Sequence, residues 1–308
     1  MKLDPAFMSD TNPLFAELKA MPDTAIPENS GRLTIRFWLV ILAGVLLSAL
    51  TGSFIGTVAP VTEENASVSM IVSLYLTVFV IVLTLYYCRK IENRPLRTTG
   101  MKRKGMLPQY LGGAAAGFVM FGAAVLLAWR CGALKFEGRE ENLSAGTLTA
   151  LLIGWLVQGF SEEISFRGWL MISTGTQRGV TEAVTTSSLY FAIAHIGNQG
   201  ISILSMINLG LFGMFAAFYV LRTGSIWGVA AMHGIWNFAQ GNLFGIRVSG
   251  MDMPDSVMRF SSEGGSKWLN GGDFGMEGGL CVTAVLAAGI LLLCLIPPFR
   301  KHTASRPD

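Results

Sequence analysis

FWLVILAGVLLSALTGSFIGTV, residues 37–58, is an apolar run of twenty-two residues without a single charge. An α-helix rises about 1.5 Å per residue and the hydrocarbon core of a bilayer is about 30 Å thick, so roughly 20 apolar residues make one crossing. Working outward from this run, further apolar stretches cover 68–88, 110–129, 145–160, 183–195, 203–221, 226–244 and 280–296, which makes eight candidate spans. The stretch at 183–195 is short for a crossing. Only 14% of the 308 residues are charged, where a soluble domain carries about a quarter, and the charges crowd between the apolar runs. The fold class expected is all-α, a polytopic membrane helical bundle of about eight transmembrane helices.

Lys and Arg placement orients the spans. The segment after the second span holds Arg89, Lys90, Arg94, Arg97, Lys102, Arg103 and Lys104 against the acid Glu92. Arg32 and Arg36 precede the first span, and Arg300 and Lys301 follow the last. Glu63 and Glu64 lie between spans one and two, and the Gly-rich stretch 245–279 is acidic. All strongly basic segments share one side if both termini are cytoplasmic. The organisation expected is a polar, mostly disordered cytoplasmic tail (1–31), three spans with a basic cytoplasmic loop (32–144), and a four-helix core (145–245). A Gly-rich outer loop (246–279) and the last span with a basic tail (280–308) complete it. The four cysteines show no CxxC spacing, so neither a zinc knuckle nor a thioredoxin-like motif is indicated. No basic run interleaved with aromatics supports nucleic-acid binding. The bilayer is the partner that composition implies.

Five ionisable side chains stand inside the apolar segments: Glu162, Glu163, Arg167, His195 and His233. Such groups are costly in a membrane, so they pair, face protein or water, and mark function. A buried histidine in a soluble protein is more often a satisfied core residue; five such groups within about 70 residues of chain weigh against that reading here. Glu163 and Arg167 are four apart with the acid first, the favourable order for a pair on one helix face. That pair reads as structural and leaves Glu162, about 100° round the helix, as the reactive acid. The apolar pattern continues past Glu162 to a turn between Arg178 and Gly179. Glu162 and His195 are equidistant from that turn and meet at one depth in an antiparallel hairpin, recessed from the cytoplasmic surface. His233 and Asn237 are four apart on span seven and form a third wall.

The motifs Glu162-Glu163-x-x-Phe166-Arg167-Gly168, Phe191-x-x-x-His195 and His233-x-x-x-Asn237 resemble those of the CAAX-protease and bacteriocin-processing (CPBP) family, which includes the type II CAAX prenyl endopeptidases. The resemblance covers about a third of the chain, 145–244. It implies an intramembrane endopeptidase acting on a membrane-associated protein or peptide. Glu162 and His195 would activate water, His233 and Asn237 would stabilise the oxyanion, and Glu163, Arg167 and Phe191 would support them. Glu162, His195 and His233 also have the His₂Glu composition of a catalytic zinc site, so zinc stays open as a cofactor. Asn237 is an unusual zinc ligand and a good oxyanion donor, which tilts the reading to a metal-free site. HExxH, GxSG and intramembrane aspartate pairs are absent from the sequence. The competing classes are a proton- or ion-coupled transporter using the same acid and histidines as a relay, and a non-enzymatic, bacteriocin-immunity-like member of the family.

Overall fold

A computed structural model of the chain describes residues 6–58, 62, 65–140 and 143–296. Glu63, Glu64, Arg300 and Lys301, which entered the charge argument, lie outside the described residues. The chain is an all-α membrane bundle. In order it forms α1 (Pro13–Lys19), α2 (Ser30–Val58), α3 (Ala66–Leu76), α4 (Val78–Tyr86), α5 (Met106–Arg130), α6 (Ala145–Glu163), α7 (Ile172–Arg178), α8 (Val180–Ile193), α9 (Ile203–Thr223), α10 (Trp227–Phe238), α11 (Lys267–Asn270) and α12 (Leu280–Leu295). Every apolar run picked out above falls largely in helix. Four helices, Ser30–Val58, Ala66–Ile91, Met106–Arg130 and Ile203–Thr223, are long and apolar enough to cross a membrane by length and composition. Leu39, Leu42, Leu46, Leu50 and Phe54 of α2 are each more than half exposed. A stripe of that kind is a liability in water and the natural lipid-facing surface of a membrane helix.

α10 lies between α5 and α6, and small residues allow the approach. A Cβ at Gly113 of α5 would stand 1.8 Å from the Gly228 carbonyl oxygen, and one at Gly159 of α6 would stand 2.7 Å from the Gly234 nitrogen. Backbone contact this close fixes the rotation of α10, and with it the direction of its side chains.

The long helix expected from 145 to the turn is present but changes its winding. α6 runs without a break into a π-helical stretch, Ile164–Met171, and then into α7. The reversal is a single residue, Gly179, with φ of +89°, a conformation that favours glycine. π-Helical turns inside α-helices recur at functional sites, and this one starts directly after Glu162-Glu163.

The N-terminal segment and the basic loop both pack against the bundle. Within the polar N-terminal segment, expected to be mostly disordered, residues 13–19 form α1, whose Leu14, Phe15 and Leu18 are fully buried. Each such side chain contributes about 1.5–3 kcal/mol by leaving water. Asn12 donates to the Leu221 carbonyl at 2.9 Å, and Asp10 accepts the Val180 amide at 2.6 Å, capping α8. The polarity of the tail is real, but its few apolar residues share one face. The basic loop is also tied into the bundle. Arg94 and Glu92 are fully buried and paired at 3.3 Å. Arg94 also donates to the Gly168 carbonyl at 3.0 Å and to Ser173 at 2.7 Å, while Trp169 donates to Glu92 at 2.8 Å. The pair locks this loop onto the π-helical stretch just beyond Glu162. Burial pushes the Glu92 carboxyl above its usual range, against the pull of Arg94 and the Trp169 bond.

At the opposite end, β1 (Lys135–Arg139) pairs antiparallel with β2 (Met258–Ser261). The loop after α5 and the Gly-rich loop therefore lie at one end of the bundle, away from α1 and the Gly179 turn.

Candidate active site

One cavity of about 440 Å³ is lined by Glu162, His195, His233 and Asn237 together. α6 carries Glu162, α10 carries His233 and Asn237, and the turn after α8 carries His195. His233 and Asn237 are both buried. The two hairpin residues share the cavity wall without a direct hydrogen bond or ion pair between them among the described residues.

Hydrogen-bond partners define the state of each group. His195 Nδ1 lies 2.8 Å from the Phe191 carbonyl oxygen. A carbonyl oxygen only accepts, so Nδ1 carries the hydrogen, and in the neutral ring Nε2 is left as the basic nitrogen. Glu162 Oε1 accepts from Gln158 Nε2 at 2.7 Å, whereas Oε2 is buried without a hydrogen-bond partner. That orphan oxygen is 3.7 Å from His233 Nε2. His233 Nδ1 lies 2.9 Å from Glu163 Oε1, which also accepts from Arg167 at 2.9 Å. With Nδ1–H directed at Glu163, neutral His233 would turn a lone pair towards the lone pairs of Glu162. A proton between them, or a water donating to both, relieves that opposition.

Glu163 thus has two jobs where the sequence offered one. It neutralises the fully buried Arg167 and also sets the ring of His233. Phe191 is the hub of this layer. Its ring lies 4.5 Å from the Arg167 guanidinium carbon, 4.8 Å from the His195 ring and 5.9 Å from the His233 ring, and its carbonyl orients His195.

Gln158 was missed by a search restricted to ionisable residues. Its Nε2 donates to Glu162, and its Oε1 accepts from Asn237 at 3.0 Å. It bridges the acid on α6 to the amide on α10. The signal was available, since Gln158 stands four residues before Glu162 on one helix face.

The Gly-rich loop is the second omission. Val248, Ser249, Met251 and Glu277 line the same cavity. Glu162 is sixteen residues from the Arg178 turn, or about 24 Å at α-helical rise. The site is therefore walled by the Gly-rich-loop end and not merely recessed from the end that bears the Gly179 turn. Counting from the turn gave the depth but could not show that the far loop folds inward. Glu277 Oε2 accepts from both the amide and the hydroxyl of Ser249, at 2.7 and 2.8 Å. Burial pushes the Glu277 carboxyl above its usual range, against the Ser249 hydroxyl bond.

For a metal, three donors must converge. Among the described residues no group of three or more His, Cys, Asp or Glu side chains is placed to hold one. Nδ1 of each histidine is engaged, His233 by Glu163 and His195 by the Phe191 carbonyl, so Nε2 is the nitrogen that each has left for a ligand or a proton.

A helical membrane protein with acids, histidines and carboxamides around one cavity has the make-up of an intramembrane polar site. Residues 144–239 match the family model described as type II CAAX prenyl endopeptidase Rce1-like. The match covers under a third of the chain and supports placing this stretch with the CAAX-protease (CPBP) family. The match spans every cavity residue from Gln158 to Asn237 and ends before the Gly-rich loop. No curated protein and no solved structure matches the chain.

Proposed function

We propose that the chain hydrolyses a peptide bond of a membrane-associated protein or peptide, using a water activated by Glu162 and His195. The observation that carries this reading is the pair of unoccupied acceptors on one cavity, Glu162 Oε2 and His195 Nε2. A water donating to both has its oxygen lone pair directed away from them, towards a carbonyl carbon. As the C–O bond forms, one water proton passes to the acid–base pair. Collapse of the tetrahedral intermediate breaks the C–N bond, and that proton leaves on the amine. Protonated His233, with Glu163 behind it, and the amide of Asn237 donate to the oxyanion. Gln158 holds Glu162 and Asn237 at fixed spacing. Zinc takes no part in this scheme. Both termini would be cytoplasmic, and the Gly-rich loop would lie on the other side.

Purified protein in proteoliposomes, given a fluorogenic apolar peptide library, tests the reading. Glu162→Gln keeps the shape and the Gln158 contact but cannot take the proton. Turnover should fall by at least about a hundredfold, with His195→Ala comparable. Full turnover in folded Glu162→Gln protein would overturn the mechanism. Proton flux without cleavage would favour a transporter.

A further inference from the structure

We infer that Arg94 is a positioning residue for the reaction: from outside the cavity it holds Glu162 and Glu163 of α6 in register with His233 of α10. The inference rests on the peptidase reading above and names a further residue on which that site depends.

Arg94 belongs to the loop between α4 and α5, outside the stretch 144–239 that matches the family model, and it does not line the cavity. It is fully buried. Its Nε donates to the Thr98 hydroxyl at 3.0 Å, and Nη1 donates to Glu92 at 3.3 Å and Ser173 at 2.7 Å. Nη2 donates to the Thr98 and Gly168 carbonyls at 3.1 and 3.0 Å. A guanidinium has five N–H donors in a fixed fork, and here every one has an acceptor. The buried Arg167, by contrast, leaves Nε and Nη2 unpaired among the described residues.

The Gly168 carbonyl is the acceptor that reaches the site. Gly168 lies six residues after Glu162, within the π-helical stretch. There the Ile172 amide bonds the Trp169 carbonyl, whereas α-helical winding would bring it to the carbonyl of Gly168. Trp169 donates to Glu92 at 2.8 Å, so Arg94 and Glu92 grip two consecutive residues of the stretch. The same loop also grips the start of α10. The Ile226 amide donates to the Gly100 carbonyl at 3.1 Å, and Trp227 Nε1 donates to the Lys102 carbonyl at 3.0 Å. Ile226 stands seven residues before His233. The two grips adjoin: a Cβ at Gly168 would lie 3.0 Å from the Thr99 carbonyl oxygen and 3.2 Å from Ile226 Cδ1. One loop thus ties the continuation of α6 to the beginning of α10. The contacts it governs are Glu162 Oε2 to His233 Nε2 at 3.7 Å and Glu163 Oε1 to His233 Nδ1 at 2.9 Å. A displacement of about 1 Å at a reacting group can cost about a hundredfold in rate.

Arg94→Lys keeps the charge but not the fork, so it cannot hold Glu92, Ser173, Thr98 and Gly168 together. Its control is Leu134→Ala, which opens a cavity at the β1 end of the bundle and lowers stability there. In proteoliposomes, with turnover counted per folded molecule, Arg94→Lys should lower kcat at least about tenfold and leave KM within about twofold. Leu134→Ala should lower Tm and leave both constants unchanged. Ser173→Ala removes one acceptor without stranding the charge and should lower kcat at least about twofold; it carries the test if Arg94→Lys does not fold. Register is read without turnover. Gln158→Cys and Asn237→Cys, at side chains 3.0 Å apart, are crosslinked with dibromobimane on a background lacking native cysteine. Arg94→Lys should reduce the yield at least about threefold, and Ser173→Ala should reduce it in the same direction. Unchanged kcat in both variants, a kcat loss matched by Leu134→Ala, or unchanged crosslinking overturns the inference. Unchanged kcat beside intact wild-type cleavage leaves the peptidase reading standing. Arg94-dependent crosslinking in a protein that cleaves nothing sinks the peptidase reading and leaves Arg94 as the residue that sets the register.

Discussion

Glu163→Gln isolates the layer beneath the cavity. Arg167 is fully buried and its only hydrogen-bond partner among the described residues is Glu163, with Nε and a second terminal nitrogen unpaired. Removing the carboxylate charge leaves a buried guanidinium facing the rings of Phe191 at 4.5 Å and Phe166 at 5.9 Å. Breaking such a pair costs about 3–5 kcal/mol, and Gln keeps an acceptor, so the lower figure applies. At about 2.1 cal/mol/K of unfolding entropy per residue, a loss of about 3 kcal/mol over a chain of this length lowers Tm by about 5 °C. A thiol-reactive dye reads the transition, because Cys88 and Cys281 are buried free cysteines. Glu163→Gln combined with Arg167→Met should recover at least half the loss, since the stranded charge is gone. Turnover per folded molecule should fall about 10–100-fold in the single variant, as when an outer partner of a site histidine is removed, because His233 loses the acceptor at 2.9 Å. A single variant within about 1 °C of wild type, or a double variant showing the plain sum of two losses, would refute the reasoning.

The remaining outcomes can be checked separately. Asn237→Ala should cost about 3 kcal/mol in kcat/KM through the lost oxyanion donor. Gln158→Leu, a positioning change, should lower kcat and alter the pH profile of turnover, because Glu162 Oε1 loses its donor; an unaltered profile would reduce Gln158 to packing. Incubation with EDTA should leave activity intact, whereas stoichiometric zinc lost together with activity would require rearranged ligands. Impermeant thiol labelling from the outer face, on a background lacking exposed native cysteine, should reach Ser262→Cys and miss Lys104→Cys. Both positions are exposed, so the reverse pattern would invert the topology.

What the sequence makes legible follows from how each signal is encoded. Span positions come from hydropathy, a property of each residue in its own segment, and the helices fall where the runs do. Residues four apart on one helix are equally local: Glu163 meets Arg167, and His233 and Asn237 share a wall, before any tertiary contact is considered. The partner of His233 was not legible in this way. Nothing in the spacing tells that α10 rotates to set Nδ1 on Glu163, because close contacts at Gly113, Gly159 and Gly234 fix that rotation. Gln158 escaped because an uncharged amide in an apolar run costs too little to stand out. The Gly-rich loop escaped for a different reason. Its glycines and acids read as an outer linker, and only contacts between distant segments reveal otherwise: a Cβ at Gly250 would lie 2.2 Å from the Gln199 carbonyl oxygen, and one at Gly200 would lie 2.6 Å from the Phe274 nitrogen. The loop is pressed onto the turn that bears His195. Glycine there permits the approach, and the approach brings Ser249 and Glu277 to the cavity wall. A composition that suggests slack in one dimension is, once folded, the condition for close packing around the reactive histidine.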